Sequence, residues 1–339
     1  MKVIAAPRAL PSDDPGCLIE LELPEPQPGR RDLLVRIEAI AVNPIDTKVR
    51  AGLAEGSEPR ILGWDAAGTV ERCGEDVSRF HPGQRVLFAG ALQRPGCNAE
   101  FSLVDERLCG HCPDSLSAAE AAALPLTGLT AWEGLFERLG LSPQPQPAQQ
   151  GRSLLIIGAA GGVGSIAIQL ARRAGLRVIA TASRPQSQAW VKALGADAVL
   201  DHHQPLAPQL EALNLPWVDW IANVADTDAY WPQMVELLAP QGAILAIVGN
   251  RAPLDQTLLK SKSARLCWEF MFSRSQYATA DMAVQGRIVE RLAQLRADGD
   301  LGSTIGSRLG PISATNLARA HRQLEDGHTI GKLVLEGWS

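Results

Sequence analysis

Residues 154 to 165 read Leu-Leu-Ile-Ile-Gly-Ala-Ala-Gly-Gly-Val-Gly-Ser. The four apolar residues Leu154 to Ile157 predict a strand buried on both faces. Val163, Ala167, Leu170, Ala171 and Ala174 then fall on one helical face, and Gln169, Arg172 and Arg173 on the other, as for a helix packed on a sheet. Glycines between the two elements let the chain turn sharply and let a pyrophosphate approach the backbone. Free amides at the helix start, aided by the helix dipole, favour the negative charge. The pattern is Ala159-x-Gly161-x-x-Gly164, with alanine at the first glycine place and Gly158 just before it. Ala160, Gly161, Gly162, Val163 and Gly164 are therefore the predicted phosphate-holding residues.

A second apolar run, Arg177 to Thr181, follows at βαβ spacing, and its end is where a ribose-reading side chain belongs. A free 2′-hydroxyl is usually met there by Asp or Glu, but this chain offers Thr181-Ala182-Ser183-Arg184. Ser183 and Arg184 would bind a 2′-phosphate through charge-assisted hydrogen bonds, which selects NADPH over NADH as the expected cofactor. The competing reading makes Arg184 an ordinary solvated residue before Pro185.

Other chemistries find less support. Cys109-Gly110-His111-Cys112 has the spacing of a redox pair or half a zinc site, with Cys97 as a further thiol. No second C-x-x-C completes such a site and no thioredoxin-like unit surrounds it, so a connecting loop is expected. The six histidines include the neighbours His202 and His203 but no metal-ligand spacing.

The elements that must position the turn come next. After Thr181, helical stretches (Ala189 to Leu194, Tyr230 to Leu238) alternate with apolar runs (Ala198 to Leu200, Trp217 to Ala222, Ala243 to Val248, Leu266 to Phe272). Six strands with intervening helices make a doubly wound α/β sheet, and Gly249 follows a strand whose carboxyl end faces the ligand crevice. The first 125 residues differ: short β-rich runs such as Leu33 to Val42, Ala66 to Arg72 and Arg85 to Ala89 are broken by Pro and Gly, with almost no helix periodicity. A barrel-like antiparallel domain is expected there. Asp281 to Arg296 reads as a long amphipathic helix and Lys332 to Glu336 as a final strand, so the tail rejoins the first domain. The expected division is 1–127, 128–275 and 276–339.

The chain has 339 residues, 46% hydrophobic and 20% charged, with a net charge of -5. That composition supports a large core and argues against a nucleic-acid-binding surface. No apolar stretch reaches bilayer length, and the N-terminal apolar run is too short for a signal peptide, so a cytoplasmic protein without a membrane partner is expected.

Taken with their order, several segments resemble the medium-chain dehydrogenase/reductase superfamily, in its zinc-free quinone oxidoreductase branch and the zinc-type alcohol dehydrogenase-like subgroup. They are Ala41-Val42-Asn43-Pro44-Ile45-Asp46, Gly63-Trp64-Asp65-Ala66-Ala67-Gly68, Leu124-Pro125-Leu126-Thr127-Gly128, Gly161-Gly162-Val163-Gly164, Leu194-Gly195-Ala196-Asp197 and Gly331-Lys332-Leu333-Val334-Leu335. The resemblance implies a GroES-like catalytic domain, a Rossmann domain and a homodimer joined through Rossmann sheet edges. Set against the motifs of zinc-holding members, the three catalytic ligand places fall on Asn43, Trp64 and Ala123, none of which replaces a thiolate or imidazole. No metal is therefore expected.

Without a Lewis acid, hydride transfer from NADPH to a quinone or an α,β-unsaturated carbonyl is the expected reaction. Asn43 is the first candidate for a polar contact beside the nicotinamide. Thr127 and Thr130 are candidates to hold the ring or its phosphates, and helix capping is their alternative role. Trp64 and Trp132 either form an apolar wall for an aromatic acceptor or belong to the core. Relatives place further phosphate contacts at the positions of His202 and Lys332. Two other functions stand beside this one: a zinc alcohol dehydrogenase with displaced ligands, and a non-catalytic interaction or nucleic-acid-binding protein on the same fold.

Overall fold

The computed structural model describes residues 1–339. The chain forms two compact units, Met1–Leu126 with Phe272–Ser339, and Thr127–Met271. No helix is long and apolar enough to cross a membrane.

The second unit is a Rossmann-type sheet of six parallel strands. In spatial order these are Ala198–Leu200, Arg177–Thr181, Ser153–Ile157, Val218–Asn223, Leu238–Ala246 and Arg265–Trp268. The central strand Ser153–Ile157 is buried throughout, as its unbroken apolar run requires. Leu155, Ile157, Ile179, Ile221 and Ile244 form the sheet's share of a core closed by residues such as Trp231, Met234 and Leu237. The last strand is shorter than the run Leu266 to Phe272 suggests. Glu269 adds one more backbone bond, to the Ala246 carbonyl, and its carboxylate is then tied to Arg138 at 2.8 Å, which ends the extended run.

The first unit is built on a GroES-like antiparallel sheet whose long central strand, Asp32–Val42, pairs with Ala66–Cys73, Phe101–Asp105 and Lys332–Glu336. The registers decide what gathers at one end. Val42 lies opposite Leu333 and Ile40 opposite Ala66, so the residues next along, Asn43, Lys332 and Asp65, meet at the same sheet margin.

Two expectations for this unit need correction. A helix, Pro44–Ala51, follows the central strand; Pro44 is preset for a first helical position, and the Asp46 carboxylate accepts from the Asn43 amide at 2.9 Å. Eight residues are too few to show a clear period in the sequence. The Cys-x-x-Cys segment is not a loop either: Cys109–His111 is a strand paired with Arg85–Phe88. Both thiols are buried, and burial pushes them above their ordinary range, opposite to a reactive pair.

Candidate cofactor site and buried polar centre

The glycine turn joins Ser153–Ile157 to the helix Gly162–Arg173. Gly158 has φ +81°, a left-handed conformation that suits only glycine well, and its amide donates to Thr181 Oγ1 at 3.0 Å. The neighbouring strand thereby holds the turn. A Cβ on Gly164 would lie 2.4 Å from the Ala159 carbonyl oxygen, so glycine is what lets the helix sit on the strand end. At Gly161 an added Cβ would meet only the Gly158 carbonyl oxygen, at 3.6 Å, which leaves the outer side of the turn open. Ser165 Oγ donates to the Gly161 carbonyl at 2.7 Å and accepts from Trp190 Nε1 at 2.9 Å, which braces the helix start. The missing first glycine of the fingerprint is thus answered by Gly158.

At the end of Arg177–Thr181, Ser183 Oγ lies 3.3 Å from His202 Nε2, bringing together two candidates nineteen residues apart. Arg184 is exposed at the N-cap of the helix Pro185–Ala193. Burial, helped by His203 and Arg184 and opposed by Asp201, lowers the His202 pKa. Ser183, Arg184 and His202 therefore form one small polar surface at a strand end.

Asn223 and Thr227 were not among the residues singled out from sequence. Asn223 Nδ2 donates to Thr227 Oγ1 at 3.2 Å, and Thr227 Oγ1 donates to the Val248 carbonyl at 2.5 Å. These bonds fasten the carboxyl end of Val218–Asn223 to the segment leading into Gly249, which is exposed and has open space where a Cβ would stand. A buried Asn at a strand end, followed four residues later by Thr, was the available signal. Thr127 and Thr130 lie one turn apart on the helix Pro125–Trp132, both buried.

The first unit holds a second constellation, made by the sheet margin described above. Lys332 Nζ donates to Asp65 Oδ2 at 2.8 Å and to Asn43 Oδ1, and it is 2% exposed. Asn43 Nδ2 donates to Asp65 Oδ2 at 3.0 Å and to the Ala41 carbonyl at 3.3 Å. Asp65 Oδ1 accepts from the Leu126 amide at 2.9 Å, satisfying a free donor at the start of the helix Pro125–Trp132. Burial pushes the Asp65 carboxyl up, and Lys332 pulls it back. Asp46 has no such cation in contact, and burial raises it from 3.8 to about 7. Its Oδ1 is buried without a partner.

Two predicted roles change here. Lys332 is not a free phosphate contact, because its ammonium is buried and bonded to Asp65 and Asn43. Asn43 does not present a free amide to a nicotinamide, because its oxygen is taken by Lys332 and its nitrogen by Asp65 and Ala41. Asp46 and Asp65 stand in sequence only as members of the segments that carry the family resemblance, with no role assigned to them. The signal for their pairing was a lysine at the head of the apolar strand Lys332–Glu336.

The donor set does not fit zinc. Trp64 is 1% exposed, donates its indole N–H to the Ala91 carbonyl at 3.1 Å and packs edge-on against Phe272, so it belongs to the core. Ala123 offers a methyl group, and Asn43 is already hydrogen-bonded to an ammonium. Trp132 packs on Phe136, with ring centroids 4.9 Å apart.

Residues 29–144 match the alcohol dehydrogenase GroES-like domain family, and residues 194–335 the zinc-binding dehydrogenase family. A zinc-type alcohol dehydrogenase-like protein of Staphylococcus epidermidis is 40% identical over 335 residues, 99% of each chain. The chloroplastic quinone-oxidoreductase QR1 of Triphysaria versicolor is 31% identical over 94% of each. A crystal structure from Rhizobium etli CFN 42, described as a zinc-dependent alcohol dehydrogenase protein, superposes with a TM-score of 0.94 at 45% identity, covering 100% of this chain and 98% of that one. The chain belongs to the medium-chain dehydrogenase/reductase superfamily and is an oxidoreductase of its zinc-type alcohol dehydrogenase-like branch, with quinone oxidoreductases among its relatives.

Proposed function

We propose that this enzyme uses NADPH to reduce a quinone or an α,β-unsaturated carbonyl, without catalytic zinc. The observation that carries the cofactor half is the strand end at Thr181: a hydroxyl, an imidazole and a guanidinium stand there, and the segment Thr181-Ala182-Ser183-Arg184 itself supplies no carboxylate, Asp201 beside His202 being the nearby acid. Ser183, Arg184 and His202 can surround a phosphate with donors, where an acid would repel it. The open side of the turn at Ala160, Gly161, Gly162, Val163 and Gly164 suits the pyrophosphate. Thr127 and Thr130 are the hydroxyls assigned to the nicotinamide end, together with the backbone at Gly249. When bound, NADPH supplies the hydride.

The acceptor half rests on donor chemistry and on kinship. Alcohol oxidation draws on metal-assisted proton loss, and Asn43, Trp64 and Ala123 provide no metal-binding donor set for it. A conjugated carbonyl needs only orientation and hydrogen-bond donors as its oxygen gains charge. The Triphysaria relative carries quinone oxidoreductase in its name. A homodimer through the Rossmann sheet margin fits the exposed Trp268 on the edge strand Arg265–Trp268, with Phe270 exposed just beyond it.

The test follows nucleotide oxidation against quinones, enones and aldehydes, with chelator present and absent. Turnover of quinones or enones by NADPH, indifferent to chelator, is expected. Arg184→Ala should raise KM for NADPH at least about tenfold and leave NADH nearly unchanged, the loss of one charge-assisted phosphate contact. Equal losses for both nucleotides would show that the phosphate is read elsewhere.

A further inference from the structure

The family is named for zinc, and the centre where zinc ligands belong holds a buried ammonium instead. Lys332 Nζ bonds Asn43, which occupies one of the three ligand places, and pairs with Asp65 beside the second, Trp64. The two side chains are 2% and 0% exposed, so this is an ion pair removed from water. The surrounding lone pairs are used as well. Asp65 Oδ2 takes Lys332 and Asn43, Asp65 Oδ1 takes the Leu126 amide, and Asp46 Oδ2 takes the Asn43 amide. The nearby Cys97 thiol is wholly buried and donates to the Asp65 carbonyl at 3.6 Å. One oxygen, Asp46 Oδ1, remains unpartnered.

We propose that Lys332 is the resident cation of this centre: a covalently supplied ammonium balances Asp65, holds the Asn43 amide in one orientation and keeps divalent metal out. A zinc ion placed here would have to displace the ammonium or sit beside it, where like charges repel in a poorly solvated site. It would also find one free oxygen in place of the three or four N, S or O donors it takes. Removing only the ammonium leaves a buried carboxylate uncompensated, whereas removing both charges leaves a neutral, nearly isosteric site. This deepens the metal-free part of the proposed function and does not depend on NADPH or the acceptor.

Two measurements on the full-length protein test it. The first dialyses wild type and Asp65→Asn against micromolar zinc and measures bound metal. No stoichiometric zinc attributable to Asp65 is expected; one equivalent held by wild type and lost in the variant overturns the proposal. The second compares unfolding midpoints of Lys332→Met, Asp65→Asn and the double variant. Lys332→Met should fall by about 10 °C, and the double variant should recover most of that loss. If Lys332→Met yields no folded protein, folding of the double variant is itself the recovery. A double variant no better than Lys332→Met overturns the charge-balancing role. Neither measurement uses NADPH turnover, so the cofactor reading can fail while this one stands, and the reverse.

Discussion

Each unit buries two carboxyl groups against one cation, and the two solutions differ in how deeply the cation is enclosed. In the first unit Asp65 and Asp46 share the neighbourhood of Lys332, which is 2% exposed. In the second, Glu269 and Glu133 flank Arg138, at 2.8 and 3.7 Å, and the Arg138 side chain is 34% exposed. Glu137, less deeply buried, also approaches Arg138 at 3.7 Å, and in each site one buried acid has its pKa raised. Burial raises Asp46 to about 7; burial, with Glu133 next to it, raises Glu269 from 4.5 to about 8. The lesson is that an internal polar site is built toward neutrality, by a basic side chain for one acid and by a retained proton for the other. The compact ammonium suits the closed site, and the wide guanidinium suits the one open to water.

The largest effect should appear in the dependence of stability on pH. Both acids have folded pKa values raised above their unfolded ones, so the folded state binds more protons in between. Stability from each is fully present below the unfolded pKa and is lost as pH rises through the folded one. The windows run from about 4 to about 7 for Asp46 and from about 4.5 to about 8 for Glu269. Each group should contribute a slope of about 1.4 kcal/mol per pH unit, roughly 4 kcal/mol across the Asp46 window. Urea unfolding of wild type, Asp46→Asn and Glu269→Gln from pH 4 to 9 checks this. The stability difference between Asp46→Asn and wild type should rise with pH and level off near 7, and that for Glu269→Gln near 8. Flat differences would mean that both acids ionise normally and that the proposed likeness between the sites is wrong.

These two sites also mark where sequence reading stops. The Rossmann unit was legible because its signals are local: a run such as Leu154 to Ile157 is buried wherever the sheet places it, and Ala159 to Gly164 builds a turn from neighbouring residues. The polar centre was not, because its members are joined by register. Asn43, Asp65 and Lys332 come from three strand ends, and Lys332 lies 289 residues from Asn43. Each alone carried a different reading: a candidate polar contact for the nicotinamide, one residue of a family motif, a phosphate-binding lysine. Arg138 and Glu269 likewise stand 131 residues apart. A charge beside an apolar run signals a paired interior site only when its partner is known. The short helix Pro44–Ala51 and the strand Cys109–His111 were missed for a related reason, each being stabilised by tertiary pairing more than by its own pattern.

A second test asks whether enclosure sets the energetic scale. Arg138→Met leaves Glu133 and Glu269 without their cation and should destabilise by about 3 kcal/mol, the low end for a broken buried pair, because water reaches Arg138. The loss should be smaller than that of Lys332→Met measured in the same buffer. The reverse order would show that the carboxyl–carboxyl contact, and not the depth of the cation, dominates the second site.

The smallest expected effect comes from exchanging the type of cation while keeping its charge. Arg138→Lys keeps the positive charge but loses the fork by which Arg138 Nε reaches Glu269 at 2.8 Å while Nη2 lies 3.7 Å from Glu133. At a site with access to water, that should cost about 1 kcal/mol. Lys332→Arg forces a larger planar group into a closed volume already occupied by Asn43 and Asp65, where overpacking typically costs about 1–3 kcal/mol. Denaturation midpoints of the two variants measured side by side separate shape from charge. Equal, small losses would mean that the first site accepts any monovalent base, and its match to a compact ammonium would be accidental. A clearly larger loss for Lys332→Arg would show that packing around Lys332 selects the ammonium itself.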